Sequence, residues 1–514
     1  MYFCSTCDKM FAHLSTTVFL AIIVSLWTTL YFYFRRNFNY WKDRKVPYLP
    51  PMLLFGNAFE VFTFRRNIGE MARKIYESTT KPFIGFFICD EPYLLIRDPE
   101  LVKSVLVKDF ALFSNRSVSD NKEVDPMGSH LLFILKTPDW RDMRRKISPV
   151  FSSAKLKVMY DLIHEAGVEM INYLDQKVEQ NPVVEIRDIT GKYTTEAITS
   201  TSFGINSNCF KNEDAEFRKV SQRVLNWSIW ERAISTSCYF VAPNLVKWFK
   251  LKFVDTASAD FLRNAFWKTM IEREKTKFVR NDLLDILIEI KNQEDIDDPY
   301  KLEGDKLVAQ ATQFFLAGFE TTSSAICFTL YELARHPEIQ DKVRKEVQAT
   351  LKKHGKITYN ALKEMEYLEM CVKEALRKYP VLSFLDRRCS SDYQIPGTDV
   401  VLKKGTAVFI SGWGLHYDSN YYPNPEVYDP MRFTEENMKT RPEYTFLAFG
   451  SGPRNCIGAR FAYASLKSSL AAIISRYEIE FCEKTKDPLI IDPKGFLLAP
   501  ISDLYLKFKK YDKM

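Results

Sequence analysis

Hydrophobic positions are distributed unevenly along this chain, and the densest run lies near the N-terminus. Residues 14–34 are almost wholly apolar and carry no charge, and a bilayer-spanning helix needs about 20 such residues. Basic side chains then outnumber acidic ones through Lys45, which places the following domain in the cytosol. The pattern favours an uncleaved membrane anchor. The rival interpretation is a signal peptide, which would have a shorter apolar core and a small-residue cleavage site.

After the anchor, the hydrophobic pattern becomes that of a folded domain. Closely spaced prolines in residues 46–51 predict a stiff, extended spacer or an irregular loop. Helical periodicity covers residues 66–78, and residues 82–96 predict a strand hairpin around Asp90-Glu91. Residues 305–335 predict one long helix, and helical segments dominate to about residue 380. The expected fold is therefore mainly α with small β-sheets.

Composition narrows the class of protein. The chain has 514 residues, of which 46% are hydrophobic and 14% aromatic, so it can form a large apolar core and is not disordered. A net charge of +7 suits a membrane surface or an acidic protein partner. No zinc-finger spacing or long basic run indicates nucleic-acid binding. The cysteines form no disulfide framework, which favours a reducing compartment and predicts core positions for Cys89, Cys238, Cys327, Cys371 and Cys482.

Residues 317–322, in the middle of the long predicted helix, read Ala-Gly-Phe-Glu-Thr-Thr. Gly318 costs a helix roughly 1 kcal/mol relative to alanine. Glu320 and Thr321 are costly in an apolar helix unless they are paired. Several unfavourable local choices in one place indicate a functional kink.

The strongest chemical signal is the segment Phe449-Gly450-Ser451-Gly452-Pro453-Arg454-Asn455-Cys456-Ile457-Gly458. Turn-forming glycines precede Cys456, and a helical pattern follows it, so the sulfur is predicted to lie at a helix N-terminus. The helix dipole there favours an anion and would lower the pKa of the thiol. A haem iron can take a cysteine thiolate as axial ligand, and this ligand favours O–O cleavage. Gly458 would let backbone amides approach the sulfur.

The pattern Phe-x-x-Gly-x-Arg-x-Cys-x-Gly resembles the haem-binding signature of the cytochrome P450 family. Trp140-x-x-x-Arg144, residues 317–322 and Glu374-x-x-Arg377 match further family motifs in the family's order. The resemblance extends from about Val46 to the C-terminus and is greatest to insect detoxification members and the related vertebrate drug-metabolising group. It implies the P450 fold behind one transmembrane helix, heme b as cofactor, and insertion of one oxygen atom from O2 into an organic substrate.

The resemblance also assigns roles around the haem. Cys456 would ligate the iron, and Ala317 and Gly318 would leave room above it. Thr321 with Glu320 would pass protons to dioxygen. The haem propionates would be held by Trp140, Arg144, Arg387 and Arg454, with Arg388 as the alternative to Arg387 and Asn115-Arg116 as a further contact. From the residues alone, a basic helix such as the one around Trp140 is usually a solvated surface helix.

Further roles implied by the resemblance concern the scaffold and the pocket. Glu374, Arg377 and Arg432 would form a structural lock that holds the cysteine loop in place. The substrate pocket would be lined by Phe314, Phe315, Ala317, Leu382, Phe384 and Phe496, for which ordinary core packing is the plainer alternative. Residues 205–260 would roof the substrate entrance and touch the membrane, or form ordinary core helices.

These assignments imply an organisation and a set of partners. Residues 1–13 would be lumenal, 14–34 the anchor, 35–51 a basic and Pro-rich linker, and 52–514 the haem-thiolate catalytic domain. The protein would be a single-pass protein of the endoplasmic reticulum membrane. Electrons would come from NADPH through NADPH-cytochrome P450 reductase, with cytochrome b5 as a further donor. The dock would use basic residues, namely Arg141, Arg145, Lys146, Arg460 and Lys467.

Two other classes of function stay open. A haem-thiolate isomerase or dehydratase would use the same ligand without external electrons, and a non-catalytic, membrane-anchored protein would only bind haem or lipid. Neither needs the proton relay of Glu320 and Thr321, which argues for the monooxygenase. The expected substrate is lipophilic: a xenobiotic such as an insecticide or plant toxin, a steroid or a fatty acid.

Overall fold

A computed structural model describes residues 4–224, 230–293, 298 and 300–511, and at residues 4–17, 230 and 232 only the backbone. The first three residues of the predicted lumenal segment, residues 225–229 of the predicted roof and the last three residues of the predicted catalytic domain lie outside the described residues.

The N-terminal helix α1, Cys4–Arg35, begins well before the predicted anchor, since residues 4–13 contain neither glycine nor proline to stop it. Among the described residues, one stretch, Val18–Asp43, is long and apolar enough to cross a membrane, and none of its most apolar part is buried by protein. A run of large apolar side chains exposed in this way fits a membrane anchor.

The segment predicted as a linker is partly built into the domain. Trp41 is completely buried, and its indole nitrogen donates to the Phe86 carbonyl at 3.2 Å. Tyr48 forms a β-bridge with Gly85. A Cβ on Gly85 would lie 2.5 Å from the Trp41 ring, so the glycine makes room for the tryptophan. Residues Trp41 and Tyr48 of the predicted linker therefore contact the folded domain.

Helices form most of the described domain, and the prediction of a mainly α fold with small sheets is confirmed. The short helices before residue 140 are α2 Tyr40–Asp43, α3 Phe59–Phe62, α4 Ile68–Glu77 and α5 Pro99–Lys103. The next are α6 Asp139–Ile147, α7 Ser153–Gln180, α8 Ile186–Ser202, α9 Glu216–Val224, α10 Trp230–Val241, α11 Pro243–Trp248, α12 Thr256–Thr276 and α13 Leu283–Gln293. The last are α14 Gly304–Arg335, α15 Pro337–His354, α16 Tyr359–Glu364, α17 Glu366–Lys378, α18 Gly412–His416, α19 Glu435–Lys439 and α20 Ala459–Arg476.

The strands form three small sheets. The largest has the order β1-β2-β7-β4, with β1 Phe83–Ile88, β2 Glu91–Ile96, β4 Phe384–Arg388 and β7 Ala407–Ser411. The predicted hairpin is confirmed, because β1 and β2 pair antiparallel in the register that places Ile88 opposite Glu91. The second sheet has the order β3-β9-β8, and the third pairs β5 with β6; these strands are β3 Val183–Glu185, β5 Tyr393–Gln394, β6 Val401–Leu402, β8 Tyr477–Glu480 and β9 Tyr505–Lys510.

Helix α14 runs through the core, as its apolar pattern predicts, and nearly all of its side chains from Leu307 to Ala334 are buried. It packs along α8 and also contacts α12, α17 and α20. Gly318 lies at the α8 crossing, where a Cβ would come within 2.7 Å of Ile198 Cδ1. Helix α20, which begins directly after the cysteine loop, packs on α7, α14 and α15. The loop is therefore attached to the centre of the molecule through α20.

Candidate functional site

The cysteine loop, residues 449–458, folds back on itself before α20. The Cys456 amide donates to the Phe449 carbonyl at 2.8 Å, and the Asn455 amide donates to the Gly452 carbonyl at 3.0 Å. Gly452 has a φ of +71°, and a Cβ there would lie 1.9 Å from the Leu106 carbonyl oxygen. Only glycine fits this position. The loop ends at Gly458 and α20 begins at Ala459, so the predicted place of Cys456 ahead of a helix N-terminus is confirmed.

The Cys456 side chain is exposed, yet protein surrounds it closely enough that burial raises the pKa of its thiol. Exposure combined with desolvation means that the sulfur faces a space inside the protein rather than bulk water. A hydrogen bond from the Gly458 backbone and the charge of Arg144 oppose the rise without cancelling it. The prediction of a lowered thiol pKa is wrong for the polypeptide alone, because burial outweighs the helix terminus. A bound metal ion would deprotonate a coordinating thiol outright.

Three buried arginines, Arg116, Arg387 and Arg454, lie together near this loop. The Arg454 guanidinium lies 4.2 Å from the Trp140 ring centroid and donates to the carbonyls of Ser114 and, at 2.7 Å, Leu135. Arg387 Nη1 donates to the Asp386 carbonyl at 2.7 Å. We call Arg116, Lys136, Arg387 and Arg454 the cation cluster.

The cation cluster is short of negative charge. Burial lowers the pKa of Arg454 and of Arg387, and the charge of Arg116 lowers both further. Burial also lowers the pKa of Lys136, to about 8. Among the described residues, Asp386 is the carboxylate that contacts the cluster, at 3.3 Å from Arg116 Nη1. The buried Nε atoms of Arg116 and Arg387 have no hydrogen-bond partner there. A ligand that carries carboxylates fits this arrangement.

Other predicted propionate contacts have different partners. Arg144 donates to the carbonyl oxygen and Oδ1 of Asn455 at 2.9 and 2.8 Å, so it joins α6 to the cysteine loop. Arg388 pairs with Glu91 at 2.6 Å, which leaves Arg387 as the member of the pair that belongs to the cation cluster. Asn115 accepts the Thr137 amide at 2.8 Å through its side chain and so holds the backbone.

The 317–322 segment of α14 has one face that is not packed. Ala317 is exposed and Thr321 partly so, between neighbours that are buried, which means that they border an internal space. The Thr321 hydroxyl donates to the Ala317 carbonyl. Glu320 is buried and accepts from Arg187 Nη2 at 3.1 Å. Gly318 leaves room for Ile198 of α8, and its predicted place above the iron stays a prediction.

The predicted pocket residues divide into two groups. Phe315 is completely buried against the rings of Phe203 and Phe217, so it belongs to the core, and Phe314 stacks on Phe151 at 4.8 Å. Leu382 is half-buried. Phe496 lies in a turn and bend between Ile491 and Pro500, which are joined by a β-bridge.

Phe384 and Phe496 form the second group. Their rings meet edge to face at 5.9 Å, and Phe496 stacks on Phe240 of α10 at 3.8 Å. Phe240 and Phe496 also line a small pocket. Sequence reasoning missed Phe240, because its apolar helix end gives no sign of a partner in the C-terminal turn.

Glu374, Arg377 and Arg432 lie together, as predicted for the structural lock. Arg377 donates to both carboxylate oxygens of Glu374 at 2.7 and 2.8 Å, and both side chains are completely buried. Arg432 Nε lies 3.4 Å from Glu374 Oε1, and the Asp429 amide donates to the same oxygen at 3.0 Å. We call Glu374, Arg377 and Arg432 the lock.

A family model described as "Cytochrome P450" matches residues 46–508. The chain belongs to the cytochrome P450 family. It is 38% identical to cytochrome P450 6k1 of Blattella germanica, covering 99% of this chain and 98% of that one. It is 38% identical to cytochrome P450 6j1 of the same insect, with 96% and 98% covered. It is 35% identical to the probable cytochrome P450 6g2 of Drosophila melanogaster, with 95% and 98% covered.

These matches identify the protein as a P450 monooxygenase that is similar to insect detoxification members and binds haem through a cysteine thiolate. The residues described above fit that cofactor. A haem has one face for an axial sulfur and two propionates on its edge. The internal face of Cys456 and the anion-deficient cation cluster match these two needs.

Proposed function

We propose that this P450 is a membrane-anchored monooxygenase that inserts one oxygen atom from O2 into lipophilic substrates. Xenobiotics such as insecticides or plant toxins are the first candidates, and steroids or fatty acids the next. When bound, the haem supplies the oxygen-activating chemistry. The observation that carries the proposal is the pairing of Cys456, which faces an internal space, with a buried cation cluster that has too few anions.

The chain would hold the haem from two sides. Cys456 is proposed as the iron ligand, with the Gly458 amide directed at its sulfur. Arg387 and Arg454 would bind the propionates, and Trp140 would support Arg454 through its ring face. Arg144 would act indirectly, because it fixes Asn455 next to the ligand.

Proton movement is assigned to α14. Thr321 borders the internal space, and its hydroxyl oxygen can still accept a hydrogen bond while donating to Ala317. Glu320 is the nearest acidic group in the segment, and Arg187 holds it at 3.1 Å. Because the Arg187 side chain is one-third exposed, the pair reaches from the buried helix towards solvent. We propose that protons pass along this route while apolar side chains exclude bulk water.

The substrate class follows from the rings on the proposed pocket wall. Phe384, Phe496 and Phe240 form a continuous aromatic surface. Such a wall buries apolar area and offers few hydrogen bonds, which supports lipophilic substrates.

Electrons are proposed to come from NADPH through the P450 reductase, with cytochrome b5 as a second donor. Arg141, Arg145 and Arg460 are exposed on α6 and at the start of α20, close in sequence to Arg144 and Cys456, and they suit an acidic partner surface. Two other residues predicted for the dock are not available to bind a partner protein. Lys146 is only 10% exposed and pairs with Asp298, and Lys467 is 3% exposed and pairs with Glu369.

Location in the endoplasmic reticulum membrane, with the domain in the cytosol, is proposed from α1 and the basic residues after it. Trp248 and Phe249, at the end of α11, are 82% and 67% exposed. Large apolar side chains in such positions support a second membrane contact in the predicted roof.

The test of the ligand is Cys456→Ser in the full-length protein. We expect loss of the thiolate-type ferrous–carbon monoxide band and of NADPH-dependent substrate oxidation. Cys482→Ser, at a half-buried cysteine outside the site, is the matched control and should keep both. Survival of the band in the Cys456 variant would reject the assignment. Product formed without NADPH would favour the isomerase, and haem binding without any turnover would favour the non-catalytic binder.

The test of the dock is Arg145→Glu. We expect slower reduction by the reductase at low salt and a smaller difference at high salt, since an exposed charge is screened. Lys211→Glu reverses a charge of similar exposure, 70% against 73% for Arg145, next to a different acidic residue and far along the chain. Equal effects of the two reversals at every salt concentration would remove this surface from the proposal.

A further inference from the structure

Among the described residues, the side chains of the lock make no hydrogen bond or ion pair with the cysteine loop. Within the described residues, Arg377 donates to Glu374 and to carbonyls of residues 416, 425 and 427. Arg432 Nη2 donates to the Asn424 carbonyl at 3.0 Å. All these partners precede residue 449, where the cysteine loop begins. Another group must therefore transmit the fixed geometry of the lock to the loop.

The imidazole of His416 contacts both sides of this gap. It is completely buried at the end of α18. Nδ1 lies 3.2 Å from the Arg377 carbonyl oxygen, and Nε2 accepts the Leu447 amide at 2.9 Å. The ring also stacks on Phe446 at 5.3 Å with an angle of 20° between planes. The Arg377 guanidinium also donates a hydrogen bond of 2.8 Å to the His416 carbonyl, so two hydrogen bonds join residues 377 and 416.

These contacts define the tautomer. A nitrogen that accepts an amide N–H cannot carry a proton, so the proton of the neutral ring is on Nδ1 and is donated to Arg377. Burial and the charge of Arg377 lower the pKa of His416 to about 3, which keeps the ring neutral. Nε2 is therefore a permanent acceptor for Leu447.

The connection continues from Leu447 to the sulfur residue. The Leu447 carbonyl accepts the Gly450 amide at 2.9 Å, which closes the turn at the start of the cysteine loop. Gly450 has a φ of +67°, a conformation that favours glycine. The next bond, from the Cys456 amide to the Phe449 carbonyl, fixes the ligand residue itself. One buried amide thus lies between the imidazole and the turn that presents Cys456.

We infer that His416 is a positioning residue that couples the lock to the cysteine loop, and that the hydrogen bond from the Leu447 amide to Nε2 holds the loop in the shape that presents Cys456 as a thiolate ligand. The last clause rests on the proposed role of Cys456. The coupling itself rests only on the contacts around His416.

Two variants of the full-length holoenzyme separate the two ring nitrogens. In His416→Gln, the side-chain amide reaches the place of Nε2 and can still accept the Leu447 amide. In His416→Asn, it reaches the place of Nδ1 and can bond Arg377 but not Leu447. The readouts are the ratio of thiolate-type to thiol-type ferrous–carbon monoxide bands and the hydrogen exchange of peptides covering residues 445–450.

We expect the Asn variant to lower the band ratio by about tenfold, the lower end of effects known for groups behind a metal ligand, and to speed exchange at residues 445–450. The Gln variant should stay close to wild type in both. Unfolding midpoints are measured for both, because a purely structural role would make the band ratio follow stability rather than the acceptor. Equal losses in the two variants, or a larger loss in Gln, would overturn the inference.

If neither variant folds, histidine-selective nitrogen-15 spectra of the wild type decide the tautomer. An unprotonated Nε2 with protonated Nδ1 agrees with the inference, and the reverse contradicts it. Failure of the proposed function can be distinguished from failure of this inference. A wild type without any thiolate band would reject Cys456 as ligand, while the hydrogen-exchange data would still report on His416.

Discussion

The molecule contains two buried groups of arginines that are built in opposite ways. In the lock, one carboxylate meets two guanidiniums, and backbone carbonyls take the remaining donors of Arg377. In the cation cluster, three guanidiniums and an ammonium have one contacting carboxylate among the described residues, Asp386 beside Arg116, and the charge of Asp120 also acts on Lys136. Both groups are removed from water, but the two guanidiniums of the lock pair with Glu374, whereas Arg387 and Arg454 pair with no carboxylate among the described residues.

The pKa values of the arginines in the two groups shift in opposite directions. Burial lowers the pKa of Arg377, but Glu374 more than offsets it, and the net shift is upward. Burial also lowers the pKa of Arg387, and the nearby Arg116 lowers it further, to about 9. Removing one member of a buried ion pair leaves the other charge uncompensated, and a buried charge without a partner costs free energy until a ligand supplies one. Charge balance therefore separates scaffold from binding site where burial alone cannot.

The largest expected effect is on the lock. Arg377→Met removes the guanidinium and leaves Glu374 buried without its main partner, so the free energy of unfolding should fall by about 3–5 kcal/mol. Denaturant unfolding with and without haem measures it, and the loss should be similar in both forms. A variant that unfolds like wild type but releases haem faster would place Arg377 in the binding site instead.

The matching substitution in the cation cluster should act on the cofactor instead. Arg387→Met removes a charge that lacks an anion, so unfolding of the haem-free protein should be unchanged or slightly harder. Haem binding should weaken by about 1.5–3 kcal/mol, the value of a hydrogen bond to a charged group. Transfer of haem to an acceptor protein measures the release rate. Equal destabilisation of the haem-free protein by Arg377→Met and Arg387→Met would contradict the distinction between the lock and the cation cluster.

The expected effect that is smallest for each pH unit, though it accumulates as pH falls, concerns the neutral ring of His416 beside the lock. The folded pKa of His416, about 3, lies below the value of about 6.5 in an unfolded chain. The unfolded state therefore binds more protons between these values, and stability falls as pH falls. Wild type should lose about 1.4 kcal/mol per pH unit in this window relative to His416→Gln, which does not titrate there. The difference between the two urea-unfolding curves isolates this group, and parallel curves would contradict it.

Much of the fold and several site residues were predictable because their signals are local. The hairpin at Asp90-Glu91, the long helix α14 and the turn before α20 follow from short-range patterns of apolar and turn-forming residues. The spacing of Glu374 and Arg377 likewise places them one turn apart on α17, where they pair. These features need no knowledge of distant parts of the chain.

By itself, the sequence determined the apolar N-terminal helix, the mainly helical fold, the glycines around Cys456 and the family to which the chain belongs. Only the tertiary structure showed that Arg387 rather than Arg388 belongs to the cation cluster, and that Lys146 is buried while Arg145 is exposed. It also showed that Phe240 stacks on Phe496 and that His416 lies between the lock and Leu447. The physical reason is that helical and strand periods depend on neighbours along the chain. Burial, ion-pair choice and pKa depend instead on which distant segments pack together.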